Sequence, residues 1–269
     1  MALLLARRLR LLEPLGEGGT ATVRRAWDLR RRRYVAAKLL PRTTYAGRSP
    51  GGICEADLRL AHPHLLTVSE VLTTRELTVL LMPLARGGTA DRLLSEHGAL
   101  PDDFVAVLLD QLLDGLAAVH DAGLVHGDVK PANLLLDATG TDRPCLRLAD
   151  FGASVGRGTA ATAATDAYLA PEARAGVAPD PRQDLFAAGA TAAELLTGRV
   201  PPSAARLPRG PLRPLLADLL SPDPGCRPPD ARRARARLLD VGVPAGAPWQ
   251  HRPHAPEVLD RVRCRGQRR

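Results

Sequence analysis

The stretch HGDVKPANLLL, His126 to Leu136, holds the only asparagine of the 269-residue chain and one of its two lysines; the other 35 basic residues are arginine. A chain that writes arginine nearly everywhere keeps Lys130 and Asn133 within three positions of each other. Asp128 is a carboxylate that can accept the proton of an attacking hydroxyl. Lys130, two residues on, projects alongside it and can neutralise charge on a transferred phosphoryl group. Asn133 offers a neutral amide oxygen to magnesium, a hard cation that favours oxygen ligands. Downstream, LADFG (Leu148 to Gly152) places Asp150 after a short apolar strand, where its carboxylate can bridge a metal to phosphates.

The second lysine stands upstream, in VAAK. Lys38 follows Val35, Ala36 and Ala37, an apolar setting that argues against a solvated surface lysine. Before it, LGEGGTATV (Leu15 to Val23) sits between two expected strands, with Gly16, Gly18 and Gly19 allowing backbone amides to approach phosphate oxygens. From the next strand the Lys38 ammonium can reach the α and β phosphates of a nucleotide beneath that loop. Taken singly, each feature is ordinary: a glycine turn, a strand lysine, a turn carboxylate. In this order they point to phosphoryl transfer. Arginine replaces neither lysine well, because its planar guanidinium suits a compact point contact with phosphate poorly.

Composition narrows the setting. With 45% hydrophobic residues but only 3% aromatics, the core must be aliphatic, one sizeable core or two small lobes. The net charge of +8 favours anionic partners. The arginine and alanine usage fits a GC-rich genome, and the absence of aromatic-interleaved basic patches argues against nucleic acid. Cys54, Cys145, Cys226 and Cys264 form no Cys-x-x-Cys pair, as expected of reduced cytosolic thiols rather than a zinc site. No apolar run approaches the roughly 18 residues of a membrane span. MALLLARRLRLL lacks the basic start and apolar length of a signal peptide. A cytoplasmic location is the expectation.

Along the chain, LRLLEPLGEGGTATVRRAWD and RRRYVAAKLL read as strands, with Arg30 to Arg33 as a solvated hairpin tip. SPGGICEADLRLAHP reads as a short helix ending before Pro63, and HLLTVSEVLTTRELTVLLMPLA as two further strands. DDFVAVLLDQLLDGLAAVHDAG is a long amphipathic helix stopped by Gly123, and RQDLFAAGATAAELLTG a second, very apolar one. PLRPLLADLLS and ARRARARLLDVG are shorter helical patterns. The Pro- and Arg-rich remainder reads as a mobile basic tail able to meet an acidic partner, though solvated disorder is its plainer role.

These motifs together resemble the protein kinases of the Ser/Thr type found in bacteria. The matches run in order: the glycine loop, VAAK, HGDVKPAN, DFG, APE (Ala170 to Glu172), DLFAAG from Asp184, and Arg227 in DPGCRP. The resemblance implies a bilobal α+β fold, with a small antiparallel β-rich N-lobe at 1–85, a larger helical C-lobe at 86–243 and the tail at 244–269. It implies ATP and Mg²⁺ as cofactors and protein Ser/Thr hydroxyls as substrates. Leu15, Gly16, Glu17, Gly18, Gly19, Ala21, Val23, Ala36 and Lys38 would cover the nucleotide. Met82 would be the gatekeeper, and Pro83 and Ala85 the backbone contacts of the adenine. Asn133 and Asp150 would hold the metal, with Asp128, Lys130 and Thr165 catalytic. Phe151 and His126 would stack in the regulatory column, and Arg227 would pair with Glu172.

Four positions depart from the family pattern. The third loop glycine is Ala21. The His-Arg-Asp arginine is Gly127, which removes the usual partner of an activation-loop phosphate. Glu55 is the expected partner of Lys38, yet it lies close to His62–His64 and is followed by Arg59 at an apolar position, leaving Asp57 as second choice. The stretch between TGRVPP and LLSPDPGCRP is short, so a substrate-docking helix is expected to be truncated or missing. Two further function classes are open: a pseudokinase acting as nucleotide-sensing scaffold, favoured by the last two departures, and a small-molecule phosphotransferase, because HGD followed by an asparagine also occurs in aminoglycoside and choline kinase relatives. Lys130, Thr165 and Glu172 weigh against the second.

Overall fold

A computed structural model describes residues 4–17, 21–42, 60–151, 167–199, 207, 209–241, 249 and 254–262. The N-lobe is a six-stranded antiparallel sheet in the order β1-β2-β3-β4-β6-β5. Its strands are β1 (Leu4–Leu5), β2 (Leu9–Glu17), β3 (Thr22–Asp28), β4 (Arg33–Pro41), β5 (Glu70–Thr73) and β6 (Leu77–Met82). Strand periodicity splits its side chains between two faces. Leu9, Leu11, Ala26, Val35, Ala37, Val79 and Leu81 form one cluster. Ala36, Leu80 and Met82 gather on the other, with Leu66, Val68 and Ala149. That second face is the roof of the cleft.

After a hinge, a small sheet of β7 (Gly88–Thr89), β8 (Leu134–Leu136) and β9 (Leu146–Leu148) leads into helices. These are α1 (Ala90–His97), α2 (Asp102–Asp121), α3 (Pro171–Arg174), α4 (Pro181–Thr197), α5 (Arg213–Leu219) and α6 (Ala231–Asp240). α2 and α4 are the apolar helices expected from sequence, and both contribute heavily to the main core. α4 ends at Gly198 in the left-handed conformation (φ 68°), which satisfies the end of the helix at no Cβ cost. The whole is a bilobal α+β architecture.

The lobes are stitched at the back by the HPH turn. Leu66 N–H donates to the Leu148 carbonyl at 2.8 Å, and Leu148 N–H to the His64 carbonyl at 2.9 Å. Gly115 on α2 makes room for this turn: a Cβ there would stand 3.0 Å from Leu65 Cδ2 and 3.1 Å from the His64 oxygen. The mobile tail expected from composition is corrected at residues 254–262. Ala255 and Val258 there belong to the main core, because these apolar residues find long-range partners that local polarity conceals.

Candidate active site

The floor of the cleft is built by HGDVKPAN. Pro131 opens a single 3-10 turn (Pro131–Asn133), and Lys130 before it is extended (φ −160°), as a residue preceding proline prefers. Asn133 Nδ2 donates to the Asp128 carbonyl at 2.7 Å and to Asp128 Oδ2 at 2.9 Å. Lys130 Nζ lies 2.9 Å from the same Oδ2. Asp128 Oδ1 is buried and finds no hydrogen-bond partner among the described residues. One carboxylate oxygen is therefore anchored, and the other is left to accept from a group brought into the cleft.

The loop is held from below by Asp184 on α4. Its carboxylate accepts from the backbone amides of His126 (2.8 Å) and Gly127 (2.9 Å), and His120 Nε2 lies 2.8 Å from Oδ2. Burial alone would raise the pKa of Asp184; His120 and the neighbouring donors outweigh it and hold the carboxyl below its usual value. His120 has no counterpart among the residues picked out from sequence. Its link to Asp184 spans 64 positions, and no local pattern announces it. Gly127 sits at φ +77°, where glycine pays no Cβ penalty.

Asp150 closes the site from β9. Ala149 N–H donates to the Asn133 carbonyl at 2.9 Å, which sets the two candidate metal ligands side by side in the backbone. Asp150 has φ +64°, a left-handed conformation that aspartate tolerates better than most residues. Its Oδ1 meets Lys38 Nζ at 2.7 Å, and Lys38 is largely buried. With Asn133 Nδ2 committed to Asp128, the oxygens these two residues could offer a cation are the Asn133 amide oxygen and the Asp150 carboxylate. That oxygen donor set fits a hard divalent cation. Beneath, Phe151 is buried and stands edge-on to His126 at 4.9 Å between ring centroids. His126 Nδ1 accepts from Asp128 N–H at 3.3 Å, so its proton is on Nε2, facing the Ala149 carbonyl at 3.2 Å. Burial pushes the His126 pKa down and keeps the ring neutral.

Lys38 pairs across the sheet with Val23 on β3 and Leu80 on β6, while Ala36 faces Met82. Val23, Ala36 and Met82 share the apolar roof with Leu135 of β8. Leu134 and Leu136 point into the C-lobe core instead, as strand alternation requires. Leu135 was not among the sequence candidates, although that alternation was its signal. Gly16 pairs with Val23, and nothing lies within 4 Å of where its Cβ would be. Leu15 and Pro83 are exposed, and Ala21 and Ala85 are half-buried. Gly18, Gly19, Glu55, Asp57, Arg59, Thr159, Thr162, Thr165 and the side chain of Glu17 lie outside the described residues. Among the described residues Lys38 pairs with Asp150. Below the cleft, Arg227 forks onto Glu172 at 2.5 and 2.8 Å.

Comparison with known proteins agrees with this architecture. The protein kinase domain family matches residues 9–208. The chain is similar to serine/threonine-protein kinase PknL of Mycobacterium tuberculosis, 38% identical over 199 residues, covering 70% of this chain and 48% of that protein. It is 36% identical over 216 residues to serine/threonine-protein kinase PkaA of Streptomyces coelicolor, covering 71% and 39%. The probable serine/threonine-protein kinase pknA2 of Bifidobacterium longum is 29% identical over 287 residues, covering 93% and 37%. The chain belongs to the protein kinase domain family, and it spans about half or less of the length of these relatives.

Proposed function

We propose that this chain is an active Ser/Thr protein kinase, transferring the γ-phosphoryl group of ATP, with Mg²⁺, to protein hydroxyls including its own. The observation that carries this reading is the meeting of two charged sets across one cleft. Lys38 and Asp150 are joined at 2.7 Å, and Lys130, Asp128 and Asn133 are tied together 2.9 Å apart. The metal, held by Asn133 and Asp150, would neutralise phosphate charge. Lys38 and the glycine loop hold the nucleotide. Asp128 orients the acceptor hydroxyl through its unengaged Oδ1, and Lys130 offsets the charge of the group in flight. Catalysis of this kind is positioning and electrostatics.

Gly127 supports independence from loop phosphorylation, because a glycine precedes Asp128 where the family pattern has the arginine that receives a phosphate. A Thr159→Ala, Thr162→Ala double variant is then expected to keep most of its activity; near-complete loss would overturn this. Among the described residues no helix is long and apolar enough to cross a membrane. A cytoplasmic site of action fits the free Cys145 and Cys226.

The test is a titration with a fluorescent ATP analogue, with and without Mg²⁺, beside incubation with γ-labelled ATP and an acceptor protein. Binding that is weakened in Lys38→Ala, with label transferred only when Mg²⁺ is present, supports the reading. Binding without any transfer would instead favour the nucleotide-sensing scaffold.

A further inference from the structure

The C-terminal segment 254–262 runs from the C-lobe, past the hinge, to the N-lobe. Its apolar side is rooted in the C-lobe: Ala255 is 7% and Val258 1% exposed, and Val258 exchanges two backbone hydrogen bonds of 2.9 Å with Gly140. Upstream, Trp249 donates from Nε1 to the Thr141 carbonyl at 3.0 Å and packs edge-on to Phe104.

The segment then crosses the hinge backbone. Arg261 N–H donates to the Arg86 carbonyl at 2.9 Å, and its Nε to the Gly87 carbonyl at 2.8 Å. Its guanidinium also forks onto Glu96 of α1, with one arm at 2.8 Å. Arg261, helped by Arg92, holds the Glu96 carboxyl down at about 2. Asp260 pairs with Arg86 at 2.5 Å. At the far end the Val262 carbonyl accepts from Arg25 Nη1 of β3 at 3.2 Å.

Two glycines admit this crossing. A Cβ at Gly87 would stand 2.5 Å from Val258 Cγ1 and 2.8 Å from the Leu136 oxygen. A Cβ at Gly88 (φ +85°) would stand 2.8 Å from Arg261 Cδ. The hinge backbone at this point is thus clasped between β8 and the C-terminal segment, one segment bonding both lobes and the link between them.

We propose that residues 254–262 are a strap that fixes the hinge, and that Arg261 is a positioning residue for the nucleotide cleft. Arg261 acts through the backbone of Arg86 and Gly87, immediately after the expected adenine-contacting residues Pro83 and Ala85. Its role in nucleotide binding rests on the kinase reading; its role in holding the hinge does not.

The test uses the full chain with Arg261→Glu, Glu96→Arg and the double variant. Readouts are the dissociation constant of a fluorescent (N-methylanthraniloyl) ATP with Mg²⁺, and the hydrogen exchange of the Gly87 amide without nucleotide. That amide donates to the Leu136 carbonyl at 2.8 Å and reports hinge opening. Arg261→Glu is expected to weaken nucleotide binding about tenfold and to speed Gly87 exchange by a similar factor. Unchanged far-UV circular dichroism would show that the fold is kept. The double variant, with its charges exchanged, recovers part of both losses, which a generally loosened protein would not do. The milder Arg261→Ala, should Arg261→Glu not fold, is read the same way. Wild-type values for both readouts in the folded variant overturn the strap. Faster exchange with unaltered nucleotide affinity overturns the positioning role. If the wild type binds no nucleotide, the kinase reading fails, and Gly87 exchange alone decides the strap.

Discussion

Replacing Arg227 by alanine is expected to destabilise the protein by about 3–5 kcal/mol, the range for breaking a buried ion pair from one side. The Arg227 side chain is 0% exposed and that of Glu172 14%. Besides its fork on Glu172, the guanidinium donates to the carbonyls of Arg182 at 3.0 Å and Ser221 at 2.9 Å. It also lies 5.0 Å over the Phe186 ring. Truncation strands two carbonyls at about 1 kcal/mol each and a carboxylate at about 2 kcal/mol or more. Against a domain stability of about 5–15 kcal/mol, that is a large share.

Urea unfolding followed by circular dichroism measures the loss, with equal m-values confirming an unchanged unfolding transition. The pH dependence supplies a second check. Burial would raise the pKa of Glu172, but Arg227 brings it below 4.5 in the folded protein. A carboxylate depressed in this way contributes stability above its unfolded pKa, and loses it as pH falls through the folded value. The gap between wild type and variant is therefore widest near neutral pH and closes as pH drops below about 4.5. A loss under about 1 kcal/mol, or a gap that ignores pH across this window, refutes the reasoning.

Asp184→Ala removes the acceptor of the His126 and Gly127 amides and the partner of His120; a loss of about 2–4 kcal/mol in urea unfolding is expected, with phosphoryl transfer falling at least tenfold. Gly127→Ala, at φ +77°, should cost about 1–2 kcal/mol in the same assay, and no change would mean the loop relaxes freely. His126 and His62 both lie below 6.5 through burial, so the unfolded chain takes up their protons first and stability falls as pH drops below that value. In His126→Phe this slope becomes shallower; an identical slope in denaturant titrations from about pH 7 to 5.5 would contradict the neutral, buried ring.

Much of this molecule was legible in its residues, for reasons that differ from part to part. α2 and α4 announce themselves through apolar periodicity and terminal glycines, and the strand carrying Lys38 through Val35 and its neighbours. The candidate site was legible because a chain written in arginine keeps lysine only at Lys38 and Lys130, and asparagine only at Asn133. α1 was not read as a helix: it is eight residues long, and Thr89 at its N-cap makes no side-chain capping bond. Packing of Leu93 and Leu94, not local propensity, holds it. The strap was hidden in the same way. It lies within a Pro- and Arg-rich tail whose composition matches disorder, while its order comes from contacts such as Arg25 to Val262, 237 residues apart. The His120–Asp184 link was invisible for want of any local pattern, although DLFAAG pointed to Asp184.

The most direct test of the central claim is phosphoamino acid analysis of an acceptor protein, and of the chain itself, after incubation with γ-labelled ATP and Mg²⁺. The wild type should yield labelled phosphoserine or phosphothreonine. Asp128→Asn, which keeps the bulk of the side chain but loses the carboxylate that receives the hydroxyl, should fall by about 10²–10⁴-fold while binding the nucleotide as before. Label appearing equally with Asp128→Asn, or none at all from a wild type that binds ATP, would contradict the account.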